Sequence, residues 1–127
     1  MDFDASRPIY LQLYEVFRRH IAAGEWPGGE KIESVRNLAK TYRVNPNTVQ
    51  RALAELERED LIVTDRTRGK YVTEDENLIA LLGRDAFVEA CRELRRIADD
   101  LSMSKEVALK LLSEQWERGG DDGSRTH

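Results

Sequence analysis

The sequence predicts a mainly α-helical fold with one small β-hairpin, and three observations support this fold class. Apolar residues recur at helical spacing over most of the 127-residue chain. Two short β-prone runs, residues 61–64 and 70–73, are separated by a loop that contains Gly69. From Glu76 onward the pattern changes to one long helical stretch and a shorter second one. We therefore expect a small N-terminal domain followed by a helical C-terminal region.

Composition and terminal sequence narrow the class of protein. Hydrophobic residues make up 40% and charged residues 35% of the chain, and no apolar run approaches the roughly 20 residues of a membrane span. The first residues, MDFDASRP, lack the apolar core of a secretory signal, and a lone Cys91 forms no internal disulfide. We expect a cytoplasmic protein without membrane contact. With only His20 and His127 as histidines, neither a metal site nor a cofactor is expected.

The first helix is predicted within residues 6–23. Ser6 is the expected cap and Pro8 a first-turn residue. The turn GEWPGGEK follows, and Lys31 with Ile32 adds a very short extended piece. The apolar face of the helix is formed by residues at helical spacing, namely Ile9, Leu13, Val16, Phe17 and Ile21.

Two short amphipathic helices come next, separated by a turn at RVNP. Ser34 is suited to cap the first, and Asn45 followed by Pro46 is suited to start the second, because Pro is tolerated at the first helical position. The apolar stripe of the second helix would be formed by Val49, Ala52, Leu53 and Leu56. At 100° per residue, the opposite face carries Asn47, Arg51, Ala54 and Arg58, with Gln50 at its edge.

The hairpin and the C-terminal helices complete the predicted elements. Arg66, Arg68 and Gly69 lie at the hairpin tip, which is therefore basic. In the C-terminal region Ser104 is the expected cap of the last helix. Because residues 76–118 are apolar on more than one helical face, a second subunit is the economical way to bury them, and a homodimer is predicted. The tail, residues 119–127, is expected to be disordered.

Two short helices with a buried Val44 in the turn match the helix-turn-helix arrangement, and the hairpin would form its wing. Amide side chains can pair with adenine and arginine with guanine, so the polar face of the second helix suits base recognition. The net charge of −4 does not oppose this interpretation, because the charges are unevenly distributed. Between residues 31 and 54, Glu33 is opposed by five cations: Lys31, Arg36, Lys40, Arg43 and Arg51.

From residue 7 to residue 73 the sequence resembles the GntR-type winged-helix transcription regulators. The resemblance rests on PIYLQL, AAGEWPGGEKIESVRNLA, NPNTVQRALAELERE and GKYV in this order. Two departures are Ile32-Glu33-Ser34, where the family often has Leu-Pro-Ser, and Asp60, where a Gly commonly ends the recognition helix. The NPNT form and the short helical C-terminal region are similar to the YtrA-like subgroup, whose members carry a two-helix dimerisation extension.

This resemblance implies a winged helix-turn-helix DNA-binding domain at residues 1–75 and a two-helix dimerisation region at 76–118. The expected function is that of a homodimeric repressor, which would bind an inverted-repeat DNA operator through residues 46–58 and the wing at 65–70. An unidentified small-molecule effector is a further expected partner, whereas the operator sequence and the sign of regulation are not indicated. The predicted DNA-binding residues are Ser34, Arg36, Lys40, Asn45, Asn47, Thr48, Gln50, Arg51, Arg66, Arg68, Gly69 and Lys70.

Two other classes of function compete with this one. A winged helix used only for protein interaction is the alternative, and the acidic total charge and Glu33 favour it mildly. An enzyme is not expected, because the sequence contains no Gly-rich phosphate loop, nucleophile motif or metal-ligand cluster. Steep salt dependence of DNA binding would separate the first two classes.

Overall fold

A computed structural model describes residues 2–121 of the chain. This part contains five α-helices and one two-stranded antiparallel hairpin, which confirms the predicted fold class. In chain order the elements are α1 (Ile9–Ala22), α2 (Val35–Tyr42), α3 (Pro46–Arg58), β1 (Ile62–Asp65), β2 (Gly69–Val72), α4 (Glu76–Asp100) and α5 (Lys105–Asp121). The chain divides into two compact units, with the division between Ala86 and Phe87 inside α4.

The first unit has one apolar core, built mainly from α1, α2 and α3. The predicted α3 stripe is buried. On α1, Leu13, Phe17 and Ile21 are fully buried, but Val16 is half-buried and Ile9 is exposed, so the prediction is wrong for Ile9. The core is completed by Ile32, Leu38, Ala39, Leu61, Ile62, Val72 and Leu82. Because Leu82 belongs to this core, the first unit includes the beginning of α4.

The hairpin lies against the preceding turn. Ile62 pairs with Val72 and Asp65 with Gly69 in the antiparallel register. The peptide N–H of Ile32 donates to the carbonyl of Lys70 at 2.9 Å, and a bridge joins Lys31 to Tyr71. The predicted extended piece at residues 31 and 32 is therefore present and widens the wing.

The start of α1 differs from the prediction. Ser6 does not cap the helix, since its hydroxyl donates to the carboxylate of Asp4 at 2.7 Å and α1 begins directly after Pro8 without a side-chain cap. The buried Gln12 side chain holds the preceding segment, because its amide accepts from the N–H of Asp4 at 2.7 Å and donates to two carbonyls, those of Asp4 and Arg7.

In the second unit α4 ends and α5 begins at the predicted interruption. Ser102 has a positive φ of 53°, and Ser104 accepts a hydrogen bond from the N–H of Val107 at 3.2 Å, as expected for a cap. Helix α5 continues to Asp121, so residues 119–121 are helical, and the predicted disorder of 122–127 lies outside the described residues. None of the described helices has the length and apolarity needed to span a membrane.

Candidate nucleic-acid interface

The turn between α2 and α3 is built by local backbone chemistry. Arg43 ends α2 in the left-handed conformation, with φ 57° and ψ 49°, and this allows the N–H of Val44 to donate to the carbonyl of Ala39 at 3.0 Å. Val44 then packs on the core. The reversal presents the start of α3 at the surface, which is the arrangement predicted for a helix-turn-helix.

The predicted caps of both helices are confirmed. The Ser34 hydroxyl oxygen accepts from the N–H of Asn37 at 3.1 Å, and the Asn45 side-chain oxygen accepts from the N–H of Asn47 at 2.8 Å. In both bonds the side-chain oxygen is the acceptor, so the donors of these side chains are not used. The hydroxyl proton of Ser34 and the amide N–H₂ of Asn45 remain as donors that suit a phosphate oxygen.

Helix α3 separates an apolar face from a polar one, as the sequence predicts. Val49, Ala52, Leu53 and Leu56 are buried. Thr48 is half-buried at the edge of the polar face, which otherwise consists of the exposed Asn47, Gln50, Arg51, Ala54 and Arg58. Because Ala54 is small, the amide and guanidinium groups near the N-terminus are the most prominent donors of this face.

Arg51 is held by an aromatic ring of α1. Its guanidinium carbon lies 3.9 Å from the ring centroid of Tyr10, a cation–π contact. Tyr10 is half-buried, whereas Arg51 is exposed. The contact joins α3 to α1 within the first half of α3.

The tip of the wing is organised by Asp65. Its carboxylate accepts from the N–H and the hydroxyl of Thr67, at 2.9 and 2.8 Å, in an Asx-turn, and these hydrogen bonds lower the pKa of Asp65. Arg66 and Arg68 are exposed on either side of Thr67. Gly69 has a φ of 112°, which a residue with a side chain rarely adopts.

Lys70 is tied to the C-terminal half of α3. Its ammonium group pairs with the carboxylate of Glu57 and donates to the hydroxyl of Thr64 at 3.1 Å, while that hydroxyl donates to Glu57 at 2.9 Å. Partial burial raises the pKa of Glu57, but hydrogen bonds from Lys70 and Thr64 outweigh it, and the pKa lies below its ordinary value. This ion pair fixes the wing to α3.

A groove of about 550 Å³ lies between the start of α2, the middle of α3 and the wing. We call it the wing groove. It brings together four predicted site residues, Ser34, Arg68, Gly69 and Lys70, with Lys31, Ile32, Glu33, Val35 and Leu53 as the other lining residues. The remaining predicted residues lie outside its lining: Arg36 and Lys40 are exposed on α2, Arg66 is exposed at the wing tip, and the others are on α3 or its cap.

The cations of this surface divide into paired and unpaired ones. Within residues 2–121, seven of them form no salt bridge to a carboxylate: Lys31, Arg36, Lys40, Arg43, Arg51, Arg66 and Arg68. At the C-terminal half of α3, by contrast, Arg58 pairs with Glu55 at 3.4 Å and Lys70 with Glu57. The unpaired cations therefore belong to the extended piece before α2, to α2 and its turn, to the first half of α3 and to the wing tip.

Two residues of this surface were missed as site residues by sequence reasoning. Lys31 lies across the wing, with its Cε 3.1 Å from the position that a Cβ on Gly69 would occupy. The second is Tyr10, whose ring contacts the Arg51 guanidinium. The basic run beginning at Lys31 was a signal for the first, whereas no spacing rule signals the contact of Tyr10 with Arg51.

Metal chemistry has no evident place in this surface. Over the described part of the chain, no group of three or more His, Cys, Asp or Glu side chains is arranged to hold a metal ion. His20 is engaged between Glu25 and Tyr42, at 2.8 and 3.1 Å from its two ring nitrogens, and stacks on Trp26. It serves to connect α1 with α2.

The helix pair, the polar first half of α3 and the basic wing define a winged helix-turn-helix protein of the DNA-binding class. The sequence profile described as "Bacterial regulatory proteins, gntR family" matches residues 9–72. The chain belongs to this family. Family membership makes it a DNA-binding transcription regulator and not an enzyme, so the function predicted from sequence is confirmed at this level.

Three similar proteins illustrate the relationship. An uncharacterized HTH-type transcriptional regulator of Bacillus subtilis, YhcF, is 32% identical over 85% of this chain and 89% of its own length. The HTH-type transcriptional repressor YtrA of the same organism is 37% identical over 70% of this chain and 68% of its own. A GntR family transcriptional regulator from Listeria monocytogenes has a solved structure with TM-score 0.80 and 38% identity, covering 88% and 98% of the two chains. The resemblance to the YtrA-like subgroup is thereby supported.

Proposed function

We propose that the chain is a homodimeric repressor that binds an inverted-repeat operator through α3 and the wing. The division between paired and unpaired cations carries this proposal. Unpaired cations surround the first half of α3, whereas those at its second half are neutralised within the chain. A polyanion would therefore be attracted to one end of the recognition helix, and there the donors that read bases are also exposed.

In this complex the first two turns of α3 would enter the major groove. Asn47, Gln50 and Arg51 would approach base edges, with Thr48 beside them. Ser34, Arg36, Lys40 and Asn45 would donate to phosphates from the helix-turn-helix motif, and Arg66, Arg68, Gly69 and Lys70 would follow the backbone as the wing. Because Lys70 is already paired with Glu57, we expect it to contribute less to DNA affinity than Arg68.

The second unit would join two copies of the chain. Its described residues leave many large apolar side chains exposed, among them Phe87 at 61%, Leu101 at 65% and Trp116 at 66%. Leu94, Ile97, Val107, Leu109, Leu111 and Leu112 are exposed as well. Monomeric proteins rarely leave so many large apolar side chains of one region in water. A homodimer with two-fold symmetry would cover it and would present two recognition helices to an inverted repeat.

The name of one relative supports repression as the sign of regulation. One relative of this chain is named a transcriptional repressor, and occupation of a promoter by a dimer would block polymerase. We place the protein in the cytoplasm, where its DNA target is. A small-molecule effector would act by changing the relative populations of dimers with different spacing of the recognition helices.

The test is selection of binding sites from a random duplex pool by the purified protein at two salt concentrations. We expect enrichment of an inverted repeat with half-sites about one helical turn apart, bound much more weakly at the higher salt. A variant carrying Arg36→Ala, Gln50→Ala and Arg51→Ala should lose this enrichment. Arg92→Ala with Arg95→Ala is the matched control, because it also removes two arginines but from the second unit.

Two results would contradict the proposal. Enrichment of a single half-site without symmetry would rule out an inverted-repeat operator bound by a dimer. Retention of the full enrichment by the triple variant would rule out α3 as the element that reads the bases.

A further inference from the structure

Arg51 of the recognition helix has one evident partner, the ring of Tyr10. The guanidinium carbon is 3.9 Å from the ring centroid. Among residues 2–121, no hydrogen bond or salt bridge of the Arg51 side chain accompanies this contact, so its N–H donors are unengaged by the rest of the described chain. The contact with Tyr10 therefore fixes where the cation is, and it leaves the hydrogen-bonding groups free.

Glu55 is the carboxylate that could compete with Tyr10 for Arg51, but it is paired with another arginine. Glu55 lies one turn further along α3, at the i+4 position, where it would be a candidate partner for Arg51. It pairs instead with Arg58 at 3.4 Å. The order of charges explains part of this, because an arginine that precedes a glutamate by four residues is the less favourable orientation.

Tyr10 is well placed to act as a support. It is half-buried on α1, a helix whose apolar stripe packs in the same core as the stripe of α3. A ring on a packed helix is rigid, whereas a free arginine has several rotatable bonds whose ordering opposes binding. The planar guanidinium of arginine stacks on an aromatic ring better than the ammonium of lysine does.

We propose that Tyr10 is a positioning residue for base recognition: its ring holds the Arg51 side chain ready to pair with one base pair of the operator. The inference rests on the proposed function and extends it from α3 to α1. Tyr10 itself need not touch DNA. Its effect would be transmitted through Arg51, so it should be visible as base preference at the one position that Arg51 reads.

The experiment measures operator affinity and base preference for wild type, Tyr10→Leu, Tyr10→Phe, Arg51→Ala and the double variant Tyr10→Leu with Arg51→Ala. Tyr10→Leu should lower the preference at the Arg51 position by about two- to fivefold per half-site, the range expected for an exposed cation–π contact. Tyr10→Phe should retain it, because the ring face remains. In the Arg51→Ala background Tyr10→Leu should cause no further loss of preference.

Tyr14→Leu is the matched control. Tyr14 lies one turn further along α1, and its hydroxyl donates to Glu59 at the other end of α3. The substitution removes a ring between α1 and α3 without touching Arg51, so it should lower stability and leave base preference unchanged. Equal loss of preference in Tyr10→Leu and Tyr14→Leu would show general loosening of α3 and would overturn the inference.

A measurement on the free protein separates failure of the inference from failure of the proposed function. In NMR spectra the Arg51 side-chain protons should be shifted upfield by the ring current in wild type and Tyr10→Phe, and this shift should disappear in Tyr10→Leu. Absence of the shift in wild type would overturn the inference while the proposed function stands. Absence of any sequence-selective DNA binding by wild type would overturn both.

Discussion

The two units of the chain differ in which of their charged and apolar side chains have partners within the chain. In the first unit the large apolar side chains are mostly buried, and most cations around the recognition helix have no carboxylate partner. In the second unit Arg92, Arg95 and Arg96 pair with carboxylates of their own helix, and the large apolar side chains are exposed. The first unit thus has a buried core and unpaired cations that suit a polyanion, whereas the described residues of the second expose apolar side chains that suit an apolar partner.

The largest expected effect comes from removing the second unit. A chain that ends at Ala86 keeps the core residue Leu82 and should fold as a monomer. Its affinity for an inverted repeat should fall by about 10²- to 10⁴-fold, because two half-sites are no longer bound by linked domains. Light scattering and titration with operator duplex measure both quantities. If the shortened chain were still a dimer with undiminished affinity for the operator, the first unit itself would form the dimer interface.

Two phenylalanines allow a matched test of the two units. Phe17 is fully buried, and Phe87 is 61% exposed. Phe17→Ala should lower the free energy of unfolding by about 3–5 kcal/mol at every protein concentration. Phe87→Ala should leave the dissociated chain as stable as wild type and instead raise the dissociation constant of the dimer. Chemical denaturation at several concentrations distinguishes the two effects, and a concentration-independent loss in both variants would contradict the comparison.

Two arginines sharpen the distinction between unpaired and paired cations. Arg36→Ala removes a cation that has no carboxylate partner among the described residues, and we expect it to weaken binding about equally for all DNA sequences and to reduce the salt slope by about one. Arg58→Ala is the control, since Arg58 is paired with Glu55. If both variants bind alike at all salt concentrations, ion pairing within the chain does not select the DNA-facing cations.

A third matched pair concerns glycine. Gly69 and Gly24 have φ values of 112° and 77°, so alanine at either position should strain the backbone by about 1–3 kcal/mol. Only Gly69 belongs to the wing, where an added Cβ would also meet Lys31. Thermal unfolding should be affected in both variants and operator affinity mainly in Gly69→Ala. Equal affinities would argue against a role of the wing.

The smallest effect is expected from the Glu57–Lys70 pair. Because the folded-state pKa of Glu57 is lowered, its stabilisation is fully present above the ordinary value of 4.5 and is lost as pH falls through the folded value. Both groups are about one-third exposed, so Glu57→Gln should cost less than about 1 kcal/mol at pH 7. Unfolding curves of wild type and variant should converge in acid. If the two unfolding curves still differ in acid, a group other than Glu57 causes the difference in stability.

The elements were predictable from sequence because they depend on local patterns. Apolar spacing predicted α1 and α3, and Ser34, Asn45 with Pro46 and Ser104 marked helix starts by chemistry that acts within three residues. The error at Ser6 has the same origin: Asp4, a nearby carboxylate, competes for its hydroxyl. Hydrogen bonding between neighbouring side chains outweighed the preference of serine for caps.

The site was only partly predictable because some of its contacts join distant segments. The polar face of α3 follows from helical geometry, and the exposed Asn47, Gln50 and Arg51 lie where the sequence predicts them. The contact of Tyr10 with Arg51 depends on how α1 packs against α3, and the pairing of Lys70 with Glu57 depends on how the hairpin folds back. No spacing rule in the sequence indicates either contact, so the partners of Arg51 and Lys70 were not predicted.

The most direct test of the central claim is the mass of the complex formed on a selected operator duplex, measured by sedimentation or light scattering at low and high salt. We expect two chains on each inverted repeat, bound through unpaired cations and therefore released as salt rises. One chain per duplex, or two chains whose affinity does not change with salt, would contradict it.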